Sequence, residues 1–151
     1  CETEFCCRRE EEDKFSHQNN GGRCKEINVF GLQGDFRLIM VNLVQNCLEA
    51  ISQSRKKTQG RITVITVCGA EKVCITIEDN GTGVSEEDLP RIFEPYFTKK
   101  NDAQSAGIGL YMVKVMTERN FGGKVFAFNN HKGGLSVAIE LPVRRSISPE
   151  R

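Results

Sequence analysis

Residues 35–54, D-F-R-L-I-M-V-N-L-V-Q-N-C-L-E-A-I-S-Q-S, carry the clearest structural pattern in the chain. The apolar residues recur at intervals of three and four, a spacing that places side chains on one face of an α-helix. They are Phe36, Ile39, Met40, Leu43, Cys47, Ala50 and Ile51. Asp35 is a residue type that favours the N-cap position. The pattern predicts an amphipathic helix from Asp35 to about Ser54.

A polar stripe lies beside this apolar face. At about 100° per residue, five polar side chains fall within about 60° of one another, namely Asp35, Asn42, Asn46, Glu49 and Gln53. Helix interiors disfavour Asn, so two of them one turn apart require an explanation. A solvated helix face is one interpretation. The other is a row of oxygens that reaches a phosphate or Mg²⁺, because an amide oxygen is a hard, neutral ligand.

Two pairs of alternating segments predict β-hairpins. The first pair is 61–68 and 72–78, rich in Ile, Val and Thr, and the second is 124–128 and 135–141. The turn between the second pair, 129–134, contains two glycines.

Shorter or less regular segments complete the pattern. Residues 26–30 predict a short edge strand, 85–89 a short polar helix, and 106–119 a second helix. Residues 90–105 show little periodicity, and such long loops in compact domains usually carry function. The order of helix, two strands, loop, helix and two strands predicts an α+β two-layer sandwich. In it, helices cover one face of a mixed or antiparallel sheet.

The composition fits one globular domain. The chain has 151 residues, of which 38% are hydrophobic and 27% charged. The 21 basic and 20 acidic residues leave a formal net charge of +1. This near balance excludes the strong field that gathers nucleic acid or anionic membranes non-specifically. No apolar stretch approaches the ~20 residues of a membrane helix, so we expect a soluble, cytoplasmic segment that does not insert into a membrane.

The two ends predict flanking segments. Residues 1–24 are charged and glycine-rich, a composition that buries little surface. We interpret 1–24 as a poorly ordered leader or linker, 25–145 as the domain and 146–151 as a tail. Because the chain opens with Cys rather than Met and has no apolar targeting segment, we expect a piece of a longer protein.

Cysteine usage indicates a reducing compartment. The seven cysteines are an odd number and lack zinc-finger spacing. The group of Cys1, Cys6, Cys7 and Cys24 could hold a metal or respond to oxidation, but a flexible leader is the simpler interpretation.

Asp79 ends a β-branched segment and is followed by Gly81 and Gly83. The glycines indicate a sharp turn or a close approach to the backbone. An ordinary Asx turn is one interpretation. A carboxylate in this position can also accept a hydrogen bond from the exocyclic amine of adenine, whereas guanine would present its O6 acceptor. A purine bound here is therefore predicted to be adenine.

A glycine-rich helix start follows at 105–110, S-A-G-I-G-L. Free backbone N–H groups and the helix dipole favour an anion at such a start. The dinucleotide-binding fingerprint is a poor match, because Met112 stands where its third glycine would be. The phosphate-loop motif G-x-x-x-x-G-K-[ST] does not occur in the sequence.

Four elements occur in a fixed order: N-L-V-Q-N-C-L-E-A at 42–50, D-N-G-T-G at 79–83, R-I-F-E-P-Y-F-T-K-K at 91–100 and G-I-G-L at 107–110. Together they resemble the N, G1, F and G2 boxes of the ATP-binding catalytic domain of sensor histidine kinases. The resemblance covers 35–142. It implies the Bergerat fold, with ATP and Mg²⁺ as ligands.

The resemblance also implies roles for the first two motifs. Asn46 would coordinate Mg²⁺ as a catalytic residue, and Asn42 would lie near the phosphates. Asp79 would bind the adenine, with Gly81 and Gly83 shaping the pocket.

The third motif resembles the start of a mobile ATP lid over 91–105. Phe93, Tyr96 and Phe97 would anchor one end of this lid beside the nucleotide. Lys100 matches the basic catalytic residue that meets the phosphates.

The fourth motif and the last strand complete the implied site. Gly107, Gly109 and Leu110 would present backbone N–H groups to the phosphates, and Ser136 would sit near the adenine. The sequence departs from the family pattern at Ser105, where a glycine is usual.

Two further features bear on the reaction. Glu49 stands where many relatives carry a basic residue, and Asn42 stands where the hydrolysing relatives place a glutamate general base. Neither His17 nor His131 lies in a segment that resembles the family's phospho-acceptor sequence.

The resemblance therefore implies phosphoryl transfer to a histidine on a separate dimerisation domain, with a response regulator downstream. It leaves open whether the parent protein is anchored in the inner membrane. The alternatives are a serine or threonine kinase of the same fold, an ATPase of the topoisomerase or chaperone type, and an ATP-dependent interaction module without kinase activity.

Overall fold

A computed structural model describes residues 29–55, 59–98 and 107–143 of the chain. Helix α1 spans Gln33–Ser52 and is followed by strands β1, Ile62–Cys68, and β2, Lys72–Asp79. A 3-10 helix at Leu89–Arg91 precedes helix α2, Gly109–Val115, which continues as a π-helical turn at Met116–Asn120. Strands β3, Lys124–Asn129, and β4, Leu135–Pro142, complete the order.

The four strands form one antiparallel sheet in the order β1-β2-β4-β3. The last strand in sequence therefore lies beside β2 at the centre. Its register with β2 pairs Ile77 with Val137 and Ile75 with Ile139. This register brings the end of β2 next to the start of β4, so Asp79 lies beside the turn that precedes Leu135.

Both helices pack on the same face of the sheet. The core joins Ile39, Leu43 and Cys47 of α1 with Val113 of α2 and with the inward side chains of β2 and β4. Those strand residues alternate because successive side chains of a strand point to opposite faces. They are Val73, Ile77, Val137, Ile139 and Leu141. The predicted α+β sandwich with helices on one face of the sheet is confirmed.

The first helix agrees with the predicted one except at its start. It begins at Gln33, and Leu32 rather than Asp35 occupies the N-cap position. Asp35 instead lies in the first turn, where the helix dipole favours a carboxylate. Its Oδ2 accepts a hydrogen bond from Nδ2 of Asn120 at 2.8 Å, which ties the helix start to the end of the π-helical turn.

The short polar helix predicted at 85–89 is wrong. The N–H groups of Asp88 and Leu89 both donate to the carbonyl of Ser85, and the Ser85 hydroxyl contacts the Asp88 carboxylate. Pro90 lacks an N–H and disfavours α-helical geometry in the residue before it. A turn followed by the 3-10 helix Leu89–Arg91 forms instead.

The other segments differ in their limits. The two predicted hairpins are confirmed, with β2 extending one residue further to Asp79. The predicted edge strand, 26–30, is described only from Val29 onward, and Val29 forms one antiparallel bridge with Val143. The helix predicted over 106–119 is α-helical only over Gly109–Val115 and then passes into the π-helical turn Met116–Asn120, which ends before Gly122, whose φ is +64°. No described helix is both long and apolar enough to cross a membrane.

Candidate functional site

A cavity of about 50 Å³ lies between α1 and the sheet. Helix α1, the end of β2, the loop that follows it and the start of β4 all contribute to its wall. The lining residues are Leu43, Asn46, Cys47, Ala50, Ile77, Asp79, Gly83, Val84, Leu135 and Val137. The wall is therefore mostly apolar with one carboxylate, an arrangement suited to a flat, largely apolar ring with one polar edge.

Asp79 is the buried polar group of this cavity, with 3% of its surface exposed. Its Oδ1 accepts hydrogen bonds from the N–H of Gly81 at 2.7 Å and from the N–H of Leu135 at 3.3 Å. One donor lies in the loop after β2 and the other at the start of β4, and both hold the same carboxylate oxygen. Because a buried polar group without partners is costly, these hydrogen bonds stabilise Asp79 in an apolar wall.

The Cys47 thiol lines the same cavity one turn along α1 from Leu43. Burial raises the pKa of Cys47 from 9.0 to about 12, and the charge of Asp79 and a hydrogen bond with it act in the same direction. The thiol therefore stays protonated near neutral pH and acts as a donor toward the carboxylate. Sequence analysis counted Cys47 only among the apolar core positions of the helix.

The glycines after β2 are required by close packing. A β-carbon on Gly81 would lie 2.5 Å from the carbonyl carbon of Ala50, so this loop rests directly on the α1 backbone. Gly83 has a φ of +67°, which favours glycine. A β-carbon at this position would lie 3.2 Å from the carbonyl oxygen of Gly133. Gly83 thus lines the cavity, and Gly81 lets the loop approach the α1 backbone closely.

The two asparagines of the helical stripe face the start of α2. A β-carbon on Gly109 would lie 3.0 Å from Oδ1 of Asn42 and 3.7 Å from Nδ2 of Asn46. Asn42 donates from Nδ2 to the carbonyl of Leu38 at 2.8 Å, which turns its Oδ1 toward Gly109. The fold therefore brings together the polar stripe on α1 and the glycine-rich start of α2.

Asn46 fits the role of a magnesium ligand in its chemistry. Its side chain lines the cavity, and within the described residues no hydrogen bond engages its amide. No cluster of three or more His, Cys, Asp or Glu side chains occurs in that part of the chain. Mg²⁺ commonly takes few protein ligands and fills its shell with phosphates and water, so a single amide oxygen from the protein is compatible with a magnesium site.

Two of the three aromatic residues predicted to anchor one end of a lid pack against the core. Phe93 and Phe97 pack against the core, and the Arg91 guanidinium lies 4.8 Å from the centre of the Phe97 ring. Tyr96 is the exception, because it is 75% exposed and has a φ of +64°. Tyr96 therefore does not anchor this end of the lid by burial.

The two described ends of the segment predicted to be a lid lie next to each other. A β-carbon on Gly107, whose φ is +64°, would lie 2.7 Å from the carbonyl oxygen of Phe97. Residues 99–106, and with them Lys100 and Ser105, lie outside the described residues. The two ends of the segment are thus adjacent beside α1 and α2.

Ser136 does not line the cavity. It is fully buried on the face of β4 opposite to Leu135 and Val137, because successive strand residues alternate. Its hydroxyl lies 3.3 Å from Nδ2 of Asn130, which also donates to the backbone carbonyl of Asp79. Ser136 is therefore linked to the site through Asn130 rather than by facing the cavity. Leu110 packs partly buried against the core.

The predicted site leaves out two asparagines, one at the end of β3 and one directly after it. Asn129 and Asn130 were treated only as part of a turn, yet their side chains bond to the loop after β2 and to the end of β2. The one available signal was the Asn-Asn pair itself, because Asn side chains often bond to nearby backbone.

The fold and the site define an ATPase-family domain. The family described as histidine kinase-, DNA gyrase B-, and HSP90-like ATPase matches residues 31–145, and the chain belongs to it. The expected resemblance to sensor histidine kinases is confirmed by individual proteins.

Two curated sensor proteins illustrate this similarity. The chain is 35% identical over 105 residues to the C4-dicarboxylate transport sensor protein DctB of Pseudomonas aeruginosa, an alignment that covers 70% of this chain and 17% of DctB. It is 36% identical over 106 residues to the sensor histidine kinase ZraS of Salmonella typhi, covering 70% and 21% of the two chains. The chain spans about a fifth of the length of these curated relatives.

Solved structures show the same fold. The catalytic domain of histidine kinase ThkA, in a nucleotide-free form, has 28% identity and a TM-score of 0.64, covering 76% of this chain and 71% of that one. The mycobacterial sensor histidine kinase MprB is 20% identical with a TM-score of 0.68, covering 80% of each chain. At that identity MprB supports the fold alone.

Proposed function

We propose that the domain, residues 25–145, binds Mg-ATP and transfers its γ-phosphoryl group to a histidine of a separate dimerisation domain in the parent protein. The observation that carries the proposal is the buried Asp79 carboxylate at one end of a cavity whose other side leads to Asn42, Asn46 and Gly109. In this proposal Asp79 marks the end of the site that binds the adenine base, and Asn42, Asn46 and Gly109 mark the end that binds the phosphates. The family's ATPase character supports ATP as the nucleotide.

The base end selects adenine. Oδ1 of Asp79 is engaged by Gly81 and Leu135, so the other carboxylate oxygen accepts from the exocyclic amine of adenine. The apolar wall formed by Leu43, Ile77 and Val137 packs against the ring. Guanine presents an acceptor at the equivalent edge and is repelled by the carboxylate.

The phosphate end combines side-chain oxygens with backbone donors. The N–H groups of Gly107, Gly109 and Leu110 donate to phosphate oxygens, and glycine leaves room for the phosphates to approach. Asn46, with Asn42 beside it, holds Mg²⁺ through an amide oxygen. The bound Mg²⁺ neutralises charge on the phosphates. Lys100 adds a second positive charge when the lid closes, and Phe93 and Tyr96, at the first end of the lid, lie beside the bound ATP.

The transfer step needs little covalent chemistry from this domain. A ring nitrogen of the acceptor histidine attacks the γ-phosphorus, the bond to the β–γ bridging oxygen breaks, and ADP leaves with that oxygen. The histidine ring loses its N–H proton to solvent or to a base on its own domain. The domain contributes positioning and electrostatic stabilisation. Asn42 supplies no general base, so activation of water is weak and the protein acceptor is favoured.

The partners follow from this reaction. The acceptor domain belongs to the parent protein, and a response regulator receives the phosphoryl group downstream. The reaction takes place in the cytoplasm, whether or not the parent protein is anchored in the inner membrane. Residues 1–24 and 146–151 flank the domain as a leader and a tail.

Calorimetric titration tests the pocket. We expect Mg-ATP to bind the chain and Mg-GTP to bind at least about tenfold more weakly. Asp79→Asn should weaken ATP binding by about tenfold or more, because a hydrogen bond to a charged group is lost. Asn46→Ala should weaken binding only when Mg²⁺ is present, with EDTA as the matched condition.

Transfer is tested by adding the parent's dimerisation domain with labelled ATP. Acid-labile, alkali-stable label on that domain supports a phosphohistidine product. ATP binding without transfer would favour the interaction module, and equal binding of GTP would contradict the adenine assignment.

A further inference from the structure

Asn129 binds the loop after β2 as a neighbouring strand would. Its Nδ2 donates to the carbonyl of Val84 at 2.6 Å, and its Oδ1 accepts from the N–H of the same residue at 2.9 Å. Both polar groups of the Val84 backbone are thus satisfied by one side chain. Val84 and its neighbour Gly83 line the cavity, while Asn129 does not.

Asn130 performs a parallel function at the end of β2. Its Nδ2 donates to the backbone carbonyl of Asp79 at 2.9 Å. Its Oδ1 accepts from the N–H groups of Lys132 at 3.0 Å and Gly134 at 3.1 Å, which stabilises the turn that Asn130 begins. The turn between β3 and β4 is therefore internally bonded and attached to the residue that precedes the loop.

The turn and the loop also touch with no spare volume. A β-carbon on Gly134 would lie 2.2 Å from the backbone oxygen of Asp79 and 2.5 Å from its Oδ1. A β-carbon on Gly83 would lie 3.1 Å from Oδ1 of Asn129. A shift of the turn therefore moves both the Asp79 carboxylate and the cavity wall.

The Asp79 carboxylate depends on both segments at once. One of its two backbone donors, Gly81, belongs to the loop, and the other, Leu135, follows the turn. The direction of the other carboxylate oxygen, Oδ2, follows from the relative position of these donors. Asn129 and Asn130 join the two segments that carry them.

We propose that Asn129 is a positioning residue for base recognition, which holds the loop after β2 against the β3–β4 turn so that Asp79 faces the exocyclic amine of adenine. Asn130 supports the same alignment from the Asp79 side. This inference rests on the proposed ATP site and names a residue outside the four motifs that define that site. Asn129 acts on the base end of the nucleotide and leaves the phosphate end unchanged.

The test compares ATP with inosine triphosphate, whose base lacks the exocyclic amine. In Asn129→Ala we expect about a tenfold loss of ATP affinity, since two hydrogen bonds that orient the site are removed. The affinity for inosine triphosphate should fall by about twofold at most, because its base has no exocyclic amine to contact Asp79. The ratio of the ATP affinity to the inosine triphosphate affinity therefore falls. The dependence of binding on Mg²⁺ is unchanged. A general loss of folded protein would weaken both nucleotides equally and leave the ratio as in the wild type.

The matched control is Asn120→Ala, which removes an asparagine that bonds to Asp35 away from the cavity. It should leave the ratio unchanged. Asn129→Asp serves if the alanine variant fails to fold, because it keeps the acceptor for the Val84 N–H and loses the donor to the Val84 carbonyl. Hydrogen exchange at the Val84 amide reports on the hydrogen bonds between Asn129 and Val84 in the absence of nucleotide. It should accelerate about tenfold or more in Asn129→Ala.

The outcomes separate the two claims. A wild-type chain that binds ATP and inosine triphosphate equally contradicts the proposed adenine site, and with it this inference. A wild type that prefers ATP, together with an Asn129→Ala variant that keeps the wild-type ratio, overturns the positioning role alone.

Discussion

Gly109 lies so close to Asn42 that a β-carbon on the glycine would be 3.0 Å from Oδ1 of the asparagine. The two residues are 67 positions apart in sequence, one on α1 and one at the first position of α2. Their contact brings the start of α2 against the polar stripe of α1, where the proposed site binds phosphate and Mg²⁺.

Gly109→Ala should therefore weaken nucleotide binding without unfolding the domain. Alanine favours helix over glycine by up to about 1 kcal/mol, which offsets the cost of the tight contact. Displacement of Asn42 by a few tenths of an ångström should lower Mg-ATP affinity by about fivefold, equivalent to about 1 kcal/mol. Calorimetry and thermal unfolding on the same samples measure the two effects. Unchanged affinity would mean that the contact is irrelevant to the phosphate end.

Gly81→Ala should destabilise the fold. The added β-carbon would meet backbone atoms of Ala50 at 2.5 and 2.7 Å, and backbone cannot move aside as a side-chain tip can. Overpacking of this kind costs about 1–3 kcal/mol. Urea denaturation should show a lower midpoint with an unchanged slope.

Gly34→Ala is the control for this prediction, because nothing lies within 4 Å of a β-carbon at that position in the first turn of α1. It should raise the free energy of unfolding by about 0.5 kcal/mol through helix propensity. Equal destabilisation by both alanines would contradict the close packing of the loop on α1.

Cys47 should make stability fall at alkaline pH. In the unfolded chain the thiol ionises near its ordinary pKa of 9.0, whereas in the folded state its pKa is about 12. Between these values unfolding releases a proton, so the free energy of unfolding decreases as pH rises above 9. Below pH 9 the thiol is protonated in both states and contributes no pH dependence.

Urea midpoints from pH 8 to 11 for the wild type and Cys47→Ser isolate this effect from other groups that titrate in the range. The wild type should lose more stability than the variant. Cys68→Ser, which replaces an exposed thiol, should follow the wild type. Parallel curves for the wild type and Cys47→Ser would show that the thiol is not buried beside Asp79.

Phe97 and its neighbour Tyr96 should respond differently to truncation. Phe97 packs against the core and under Arg91, so Phe97→Ala should cost about 2 kcal/mol. Tyr96 is exposed, and Tyr96→Ala should change stability by less than about 0.5 kcal/mol. Differential scanning calorimetry of both variants checks this. A similar loss for both would mean that Tyr96 is buried in solution.

The strongest sequence patterns predicted the fold because each element's periodicity is a local property. The spacing of Ile39, Leu43 and Cys47 indicates one helix face whatever that face contacts. The alternation of residue types along β2 and β4 likewise indicates which side chains share a face of the sheet. Limits were less predictable, since they depend on single residues such as Pro90, which favours a 3-10 helix, and Leu32, which occupies the N-cap that Asp35 was expected to hold.

The site was predicted unevenly for a related reason. Asp79, Gly81 and Gly83 occur within one short motif, and the structure places Asp79 and Gly83 on the cavity wall and Gly81 against the α1 backbone. Ser136 was expected at the adenine, but strand alternation turns it to the other face of β4, and Leu135 lines the cavity instead.

The sequence by itself determined the α+β class, the two hairpins, the amphipathic helix and the four motifs that identify the family, because these are carried by local order and spacing. Only the tertiary structure decided that Gly109 faces Asn42, that the Cys47 thiol lies beside Asp79, and that Asn129 holds Val84. Each of these contacts joins residues from different elements. Their distances follow from how the sheet register and helix packing position those elements, which no local pattern encodes.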